Sequence, residues 1–391
     1  MSGPVSPGQP DNLLYLFSSA PPERPTYKRG VLDVLCYPNG HQLEFSYKKS
    51  YLQPPLFDQR ASLKGAKGAI VFVDFKRLTK PTLDHSFVPI RFANILEVSP
   101  KEEAKTYTDT TRVYVRVELL DLISFEPKWD TGIKTLNGRP IPPSGPSAGG
   151  RDYFYVVRGN NLFPQTCDSS QRDIWDHLVS LVASAATLKN SVFLATDHIR
   201  QFKEPSSYLS LRGVNQKAYH LKPNSIYRMD LRVFEPGSST DLPEIEVRSS
   251  SDLITVSRPF ATAVGGPADH SVLIACKRTI ESTLATLVVD VTAKTAAVSA
   301  NQNFGQTTAS AGVFAAKPRY LLSVEPSKAL KLSFFILIFA GFSLTSTSKD
   351  FWGDWVCWPE RLAVGSKIVG AFCLAWAAFL AFRKLPSGGT G

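Results

Sequence analysis

The residues best suited to chemistry in this sequence are four Asp-His dipeptides. A carboxylate beside an imidazole can orient that ring as a general base or as a metal ligand, as a metal-dependent hydrolase requires. The spacings between the four pairs follow no rule for metal ligands, and the pairs fall in different predicted units. We therefore interpret them as polar surface or turn residues, with metal-dependent catalysis as the alternative. The pairs are Asp84-His85, Asp176-His177, Asp197-His198 and Asp269-His270.

The cysteines give no support to a metal or disulfide site. They are spread along the chain without a C-x-x-C pair, which fits a reducing compartment and argues against structural zinc. The sequence also lacks a Walker A loop and a dinucleotide-binding glycine fingerprint. We therefore predict no catalytic residue, no metal and no cofactor, and we expect that the chain is not an enzyme. The cysteines are Cys36, Cys167, Cys276, Cys357 and Cys373.

One basic group in the N-terminal part of the chain could contact a nucleotide or a nucleic acid. Aromatic residues lie close to it in sequence, and bases stack on such rings in many nucleic-acid-binding proteins. The surrounding region is nearly balanced in charge, so we favour a solvated strand face over a binding site. The basic group is Lys64, Lys67, Lys76, Arg77 and Lys80, with Tyr51, Phe72 and Phe75 in its neighbourhood.

The elements that would position these residues are mostly strands. After residues 1–11, which we predict to be disordered, residues 12–136 contain short runs rich in Val, Ile, Phe and Tyr. Val113, Val115 and Val117 alternate with polar residues, the period of a half-buried strand. We predict a small barrel or twisted antiparallel sheet. The expected strands are 13–17, 31–36, 43–47, 70–75, 88–95 and 113–120.

A loop and a helical connector are predicted next. Residues 137–152 begin with a stretch rich in proline and glycine, which indicates a surface loop or a domain boundary. Within the connector, 153–205, Asp168, Ser169 or Ser170 can cap a helix that runs to about Asn190. A further apolar helix or strand covers 192–202.

The pattern then returns to strands. Residues 206–292 hold six or seven short strands at regular spacing, which is the size of an immunoglobulin-like β-sandwich. The Cys…Trp…Cys signature of immunoglobulin domains is absent, so no family is assigned. Residues 293–318 are rich in Ala, Ser, Thr, Asn and Gln, a composition typical of a flexible tether.

The remaining chain is predicted to form a transmembrane helical hairpin over residues 329–382, followed by a flexible tail, 383–391. Residues 332–347 carry no charge, and residues 362–382 carry one, Lys367. Each segment is close to the roughly 20 residues that span a bilayer. Trp352, Trp355 and Trp358 lie between them, as indole rings do at the headgroup level. Two core helices of a globular domain are the alternative.

The charge distribution agrees with a membrane location. The 391 residues have a net charge of +10, and residues 301–391 supply half of it with nine basic and four acidic side chains. Basic residues collect at the outer ends of the two apolar segments, as Lys328 and Lys331 before the first and Arg383 and Lys384 after the second. By the positive-inside rule both termini are cytoplasmic. Residues 1–11 have no signal-peptide pattern, so we place the β units in the cytoplasm as well.

Small residues in the second segment suggest where helices meet. Ala371 and Ala375 form a small-xxx-small pair, which permits close approach either within the hairpin or between copies of the chain. We hypothesise that copies of the chain associate through this face. The alternative is that alanine is simply tolerated at these positions.

These features together favour a membrane-anchored protein. Apolar residues make up 43% of the chain and charged residues 20%, which excludes both a disordered chain and one that is mostly embedded in lipid. We expect a cytosolic sensor that binds a protein partner or another copy, with the hairpin as a membrane-perturbing effector. This layout is similar to that of the two-span membrane effectors of prokaryotic immune systems. A passive membrane-anchored scaffold is the alternative, and a nucleic-acid or nucleotide ligand is not favoured.

Overall fold

The structure is a computed structural model that describes residues between 12 and 376. Some loops between the elements fall outside the described residues, as do the predicted N-terminal segment 1–11, the loop 137–152 and the tail 383–391. The described residues are 12–19, 28–54, 56–76, 84–101, 111–136, 155–163, 170–185, 188, 191–202, 204–208, 218–234, 244–261, 269–277, 279, 282–292, 314–325, 328–345 and 368–376.

The chain is mainly β, as predicted, and its first unit is one six-stranded sheet. The order across this sheet is β2-β5-β4-β3-β1-β6, with β1 and β3 parallel and the other neighbours antiparallel. In β5 the predicted alternation is confirmed, because Val113, Val115 and Val117 are buried. The strands are β1 (Asn12–Ser19), β2 (Gln42–Lys48), β3 (Lys67–Lys76), β4 (Asp84–Lys101), β5 (Arg112–Leu122) and β6 (Val156–Asn160).

This sheet curls until its two edges meet. The chain that leaves β2 forms a parallel bridge from Leu52 to Val156 of β6, the strand at the opposite edge. The backbone N–H of Tyr155 also donates to the carbonyl of Tyr51 over 2.7 Å. Part of one edge of the curled sheet is therefore hydrogen-bonded to the chain that leaves the other edge.

Three helices pack on the β structure: α1 (Lys28–Cys36), α2 (Lys128–Lys134) and α3 (Gln171–Ala183). The prediction of a strand over 31–36 is wrong, because α1 occupies those residues. Its buried residues Val31, Leu32, Val34 and Leu35 follow the i, i+1, i+3, i+4 spacing of one helix face.

Helix α3 begins where the sequence predicted. The Ser170 hydroxyl accepts a hydrogen bond from the backbone N–H of Asp173 over 3.2 Å, which satisfies a free donor of the first turn. The helix ends at Ala183, earlier than the predicted Asn190. Its buried face includes Ile174, Trp175 and Leu178.

The second unit has two sheets. The larger has the order β12-β14-β10-β7-β16, with β13 paired to β14 and β8 to β7, and the smaller has the order β11-β15-β17-β9. The strands are β7 (Ser191–Gln201), β8 (Glu204–Tyr208), β9 (Ala218–Leu221), β10 (Ile226–Phe234), β11 (Glu244–Ser249), β12 (Ile254–Val256), β13 (Phe260–Ala261), β14 (Asp269–Cys276), β15 (Thr283–Thr292), β16 (Phe314–Ala315) and β17 (Arg319–Val324).

The two sheets share one hydrophobic core, and that core extends into the first unit. Met229 of β10, Leu287 of β15 and Leu322 of β17 belong to the same buried cluster as Leu35 of α1 and Leu178 of α3. The two β units are therefore joined by continuous packing.

The second unit extends beyond the predicted range 206–292 at both ends. Strand β7 lies inside the predicted helical connector, where the sequence left helix or strand open. The predicted tether, 293–318, ends in β16 and a buried Ala316, whereas residues 293–313 lie outside the described residues. Strands β7, β16 and β17 gain their partners from distant parts of the chain, so the local pattern could not assign them.

The described C-terminal part consists of two helices, α4 (Lys328–Thr345) and α5 (368–376). Among the helices of the described residues, none is both long and apolar enough to cross a membrane. Trp352, Trp355, Trp358, Arg383 and Lys384 lie outside the described residues.

Candidate functional site

A cleft of about 320 Å³ lies between the two β units. The first unit contributes residues that follow α1 and residues of β4 and β5. The second unit contributes residues of β7, β10 and β14, and the start of α3 forms a further wall. The cleft therefore depends on the packing of both units.

The charged wall of the cleft comes from one face of β10. Arg228, Asp230 and Arg232 alternate with the buried Met229 and Leu231, so their side chains lie on the opposite face of the sheet from the core. This charged alternation is a signal that the sequence contains and that the sequence analysis did not use.

Two aspartates hold these arginines. Asp269 of β14 lies directly opposite Arg232, and its Oδ1 accepts from the Arg232 Nε over 2.9 Å. Asp230 Oδ1 accepts from the Arg228 Nε over 2.6 Å and also from the Ser271 hydroxyl. These charge-assisted hydrogen bonds fix the guanidinium groups on the sheet.

The same network ties α3 to the sheet. The Arg232 Nη1 donates to both carboxylate oxygens of Asp176 over 2.9 and 3.0 Å, and the Arg172 Nη2 donates to Asp269 over 2.6 Å. The Arg232 guanidinium also lies 5.9 Å from the ring of Trp175. Partial burial raises the pKa of Asp176, which the positive charge of Arg172 opposes.

His270 adds a polar group without a partner. It lines the cleft, and its buried Nε2 makes no hydrogen bond within the described part of the chain. Partial burial lowers the pKa of His270. The imidazole is therefore neutral at physiological pH.

On the first unit, Arg91 organises the wall of the cleft. This buried side chain donates to the carbonyls of Val34 and Tyr37 over 2.9 and 2.6 Å, and also to the carbonyl of Leu120 and the side chain of Asn39. Burial lowers the pKa of Arg91 to about 10, so the group stays charged. The arginine thus joins the end of α1 to the sheet.

Next to the cleft, two buried tyrosines form hydrogen bonds, Tyr320 within the second unit and Tyr37 between the two units. The Tyr320 hydroxyl of β17 donates to the Thr196 hydroxyl of β7 over 2.6 Å. The Tyr37 hydroxyl accepts from the backbone N–H of Arg319 over 2.9 Å. These hydrogen bonds leave the buried hydroxyl groups paired.

The structure brings together Asp-His pairs that the sequence analysis assigned to different units. Asp176 and Asp269 share Arg232, and Asp197, Asp269 and His270 line the cleft. Asp176 and Asp197 are exposed, in agreement with the interpretation as polar surface residues, but the sequence did not indicate that the start of α3 lies beside β10 and β14 and brings Asp176 and Asp269 to one arginine. Within the described residues, no group of three or more His, Cys, Asp or Glu could hold a metal ion.

The predicted basic group does not line this cleft. Lys64 and Lys67 are exposed at the start of β3, and the backbone of Lys76 lies at the end of that strand, while Arg77 and Lys80 are outside the described residues. The nearby contacts involve other residues: Lys49 and Arg60 lie 4.4 and 5.1 Å from the ring of Phe57.

The C-terminal helices meet at a glycine. A Cβ added to Gly341 of α4 would lie 2.5 Å from the Leu374 Cγ and 3.2 Å from the Gly370 carbonyl oxygen of α5. Only a hydrogen atom at Gly341 permits this approach. Ala371 and Ala375, predicted as packing residues, are both exposed, so the described contact within the pair uses Gly341, Gly370 and Leu374 instead.

This pair exposes most of its large apolar side chains. Of the twelve large apolar residues that are exposed in the described part of the chain, eight belong to α4 and α5. Lys328 and Lys331 lie in the first turn of α4. The eight residues are Leu332, Phe335, Ile336, Phe339, Ile368, Val369, Phe372 and Trp376.

No known family model matches the chain, and no curated protein sequence matches it significantly.

Proposed function

We propose that this chain is a membrane-anchored binding protein whose C-terminal helical pair perturbs the lipid bilayer when copies of the chain cluster. The observation that carries this proposal is the exposed apolar surface of α4 and α5. The exposed fraction is 66% for Phe335, 75% for Phe339 and 68% for Phe372. A contiguous apolar surface of this kind typically marks a site of contact with a membrane or with another protein.

The chemistry around the pair favours a bilayer over a protein partner. Basic residues precede the first apolar segment and follow the second, and Trp352, Trp355 and Trp358 lie between the segments. Cationic side chains beside anionic headgroups and indole rings at the interface are typical of membrane-spanning segments. In this proposal residues 329–382 form a hairpin across the membrane, with both termini and the β units in the cytoplasm.

The β units are the binding part of the proposed protein. The second unit, which the sequence predicts to be immunoglobulin-like and which has eleven described strands in two sheets, presents loops and strand edges of the kind that bind partners. Helix α3 and the charged network connect it to the first unit, so a partner that contacts either unit can influence the other. Clustering by a protein partner, or by other copies of the chain, would bring several helical pairs together in the bilayer, where exposed Ala371 and Ala375 are available for contacts between copies.

A passive scaffold anchored in the membrane is the second candidate. The Gly341 contact favours the effector over it, because a tightly packed helical pair exceeds what attachment requires and a single apolar helix would be sufficient. The two candidates share the membrane anchor and differ in whether clustering permeabilises the bilayer.

The test compares the full chain with a chain that ends at Glu325, after β17. Each is fused to a domain that dimerises on addition of a small molecule, and membrane fractionation and membrane potential are measured in cells. We expect the full chain alone to enter the membrane fraction and to depolarise the membrane after dimerisation. Membrane attachment without depolarisation would support the scaffold, and recovery of the full chain in the soluble fraction would contradict both candidates.

A further inference from the structure

The hydrogen bonds of the charged cleft engage every carboxylate oxygen of Asp230 and Asp269 and leave guanidinium donors over. Asp269 accepts from Arg232 at one oxygen and from Arg172 at the other. Asp230 accepts from the Nε of Arg228 and the hydroxyl of Ser271 at one oxygen and from the Nη2 of Arg200 at the other. Each guanidinium has five N–H donors, so most of those on Arg172 and Arg228 remain without an acceptor among the described residues.

The charged side chains of this network also leave an excess, of one positive charge. Four arginines, at positions 172, 200, 228 and 232, are joined by ion pairs to three aspartates, at positions 176, 230 and 269. The other charged residues of the lining, Arg91 and Asp197, cancel each other. Helix α3 also begins at this wall, and the positive end of its dipole adds to the attraction for an anion.

Apolar side chains also line the cleft, among them Trp175, Leu35 and Leu122. They belong to the core, and only 4%, 2% and 8% of their surfaces are exposed. The indole of Trp175 is fixed, because its Nε1 donates to the carbonyl of Leu35 over 2.9 Å and its ring lies beside Arg232. The cleft therefore offers a small, rigid apolar contact next to the guanidinium donors.

From these three features we infer that the cleft is a binding site for a small organic oxyanion, with a phosphate or carboxylate group attached to a small apolar group. The volume of about 320 Å³ lies at the lower end of the range for small-molecule sites. Because both units line the cleft, the ligand would hold them together. The inference names a ligand for the binding part of the proposed function, and it rests on that proposal only for the link to the membrane.

Calorimetric titration of the full chain in detergent tests the inference with four probes. Phenyl phosphate and benzoate present an oxyanion on an aromatic ring, inorganic phosphate presents the anion alone, and benzyl alcohol presents the ring alone. We expect saturable binding of phenyl phosphate or benzoate, at least about tenfold tighter than that of inorganic phosphate or benzyl alcohol. The stronger of the two aromatic probes identifies the oxyanion. Absence of saturable binding by both, or equal binding of benzyl alcohol, would overturn the inference.

A pair of arginine variants supplies the matched control. Arg228 contacts Asp230 two residues away through its Nε, and exposed Arg248 of β11 contacts Glu246 two residues away in the same manner, outside the cleft. We expect Arg228→Gln to weaken binding of the stronger probe by about tenfold or more and Arg248→Gln to leave it unchanged. Equal effects of the two variants would contradict the assignment.

Two further measurements keep the outcome unambiguous. If Arg228→Gln does not fold, as judged by thermal unfolding, Arg172→Gln replaces it, because the Arg172 side chain is 54% exposed and tolerates change. Flotation of the same protein with phospholipid vesicles is measured in parallel. If the protein floats with the vesicles but does not bind the probes, the ligand site alone is overturned. If it binds the probes but does not float with the vesicles, the membrane proposal alone is contradicted.

Discussion

The rings of Tyr37 and His41 lie parallel, with centroids 3.7 Å apart and an interplanar angle of 3°. His41 follows α1 in the first unit, and its Nδ1 lies 3.2 Å from the hydroxyl of Tyr219 on β9 of the second unit. The imidazole is only 8% exposed. A titratable ring is therefore enclosed where the two units meet.

His41 makes the stability of the protein depend on pH. Burial, with the positive charge of Arg91 as a smaller cause, lowers the pKa of His41 to about 3. In the unfolded chain the group titrates near pH 6.5, so between about pH 6.5 and pH 3 the unfolded state binds a proton that the folded state does not. We expect this group to lower the free energy of unfolding by about 1.4 kcal/mol per pH unit as the pH falls through that window.

Urea unfolding across this pH range measures the effect. Relative to the original protein, His41→Gln is expected to be less stable near pH 7, because stacking and the contact with Tyr219 are altered, but to lose less stability on acidification. His220→Gln is the control, since His220 is exposed on β9 beside Tyr219. Parallel pH profiles for the original protein and His41→Gln would contradict the prediction.

Arg91 should be among the most sensitive positions in the first unit. Its side chain is 4% exposed, and Arg91→Met would leave the carbonyls of Val34, Tyr37 and Leu120 without this donor. We expect the free energy of unfolding to fall by about 3 kcal/mol or more, because buried acceptors would lose their partner. Arg248→Met, at a side chain that is 65% exposed, should change it by less than about 0.5 kcal/mol. Similar losses for the two variants, measured by urea unfolding, would be incompatible with this role.

Strand patterns and helix caps were predictable where the signal is local. The alternation of valines in β5 and the cap at Ser170 both depend on residues close in sequence, and both were predicted correctly. Helix α1 was missed because its nine residues, rich in Val and Leu, match a short buried strand in composition. Only the spacing of its buried residues distinguishes the two.

The cleft was not predictable because its contacts are long-range. Arg232 meets Asp269 and Asp176 across 37 and 56 residues of sequence. The charged alternation of β10 indicates that one face of this strand carries ionic groups, but it does not identify the helix that covers that face. Single residues that make such contacts resemble ordinary surface charges in a sequence.

The position of β17 gives a prediction about where the folded body ends. Tyr320, Leu322 and Val324 are fully buried, and β17 pairs with β15 on one side and β9 on the other. A chain that ends at Ala316 should lose cooperative thermal unfolding, because its smaller sheet is divided and its core is opened. A chain that ends at Glu325 keeps the strand and should unfold cooperatively. Cooperative unfolding of the shorter chain would show that β17 is dispensable.

The glycine contact between α4 and α5 makes a steric prediction. Gly341→Val would place side-chain atoms within the volume of Leu374, so we expect the two helices to separate or shift, at a cost of about 1–3 kcal/mol. Spin labels on the two helices, with the distance measured in phospholipid vesicles, would detect the change. Gly341→Ala should also shift the two helices, because its Cβ would meet the Leu374 side chain. Adding Leu374→Ala to this variant removes that side chain and should bring the distance closer to that of the original protein. Ala371→Val is the control at an exposed position of α5, and a shift caused by this variant alone would contradict the described packing.

The membrane proposal makes its sharpest prediction at one phenylalanine and one leucine whose side chains are equally exposed. Phe335 on α4 and Leu284 on β15 are each 66% exposed, but only Phe335 belongs to the apolar surface of the helical pair. We expect Phe335→Ser, combined with Phe339→Ser, to reduce flotation with phospholipid vesicles severalfold, because each phenylalanine contributes about 1.5–3 kcal/mol when it is buried in an apolar environment. Leu284→Ser should leave flotation unchanged. Since all of these side chains are exposed, neither variant should alter the unfolding of the β units, which separates loss of membrane binding from loss of fold. Flotation that is reduced equally by both variants, or by neither, would contradict a membrane role for this surface.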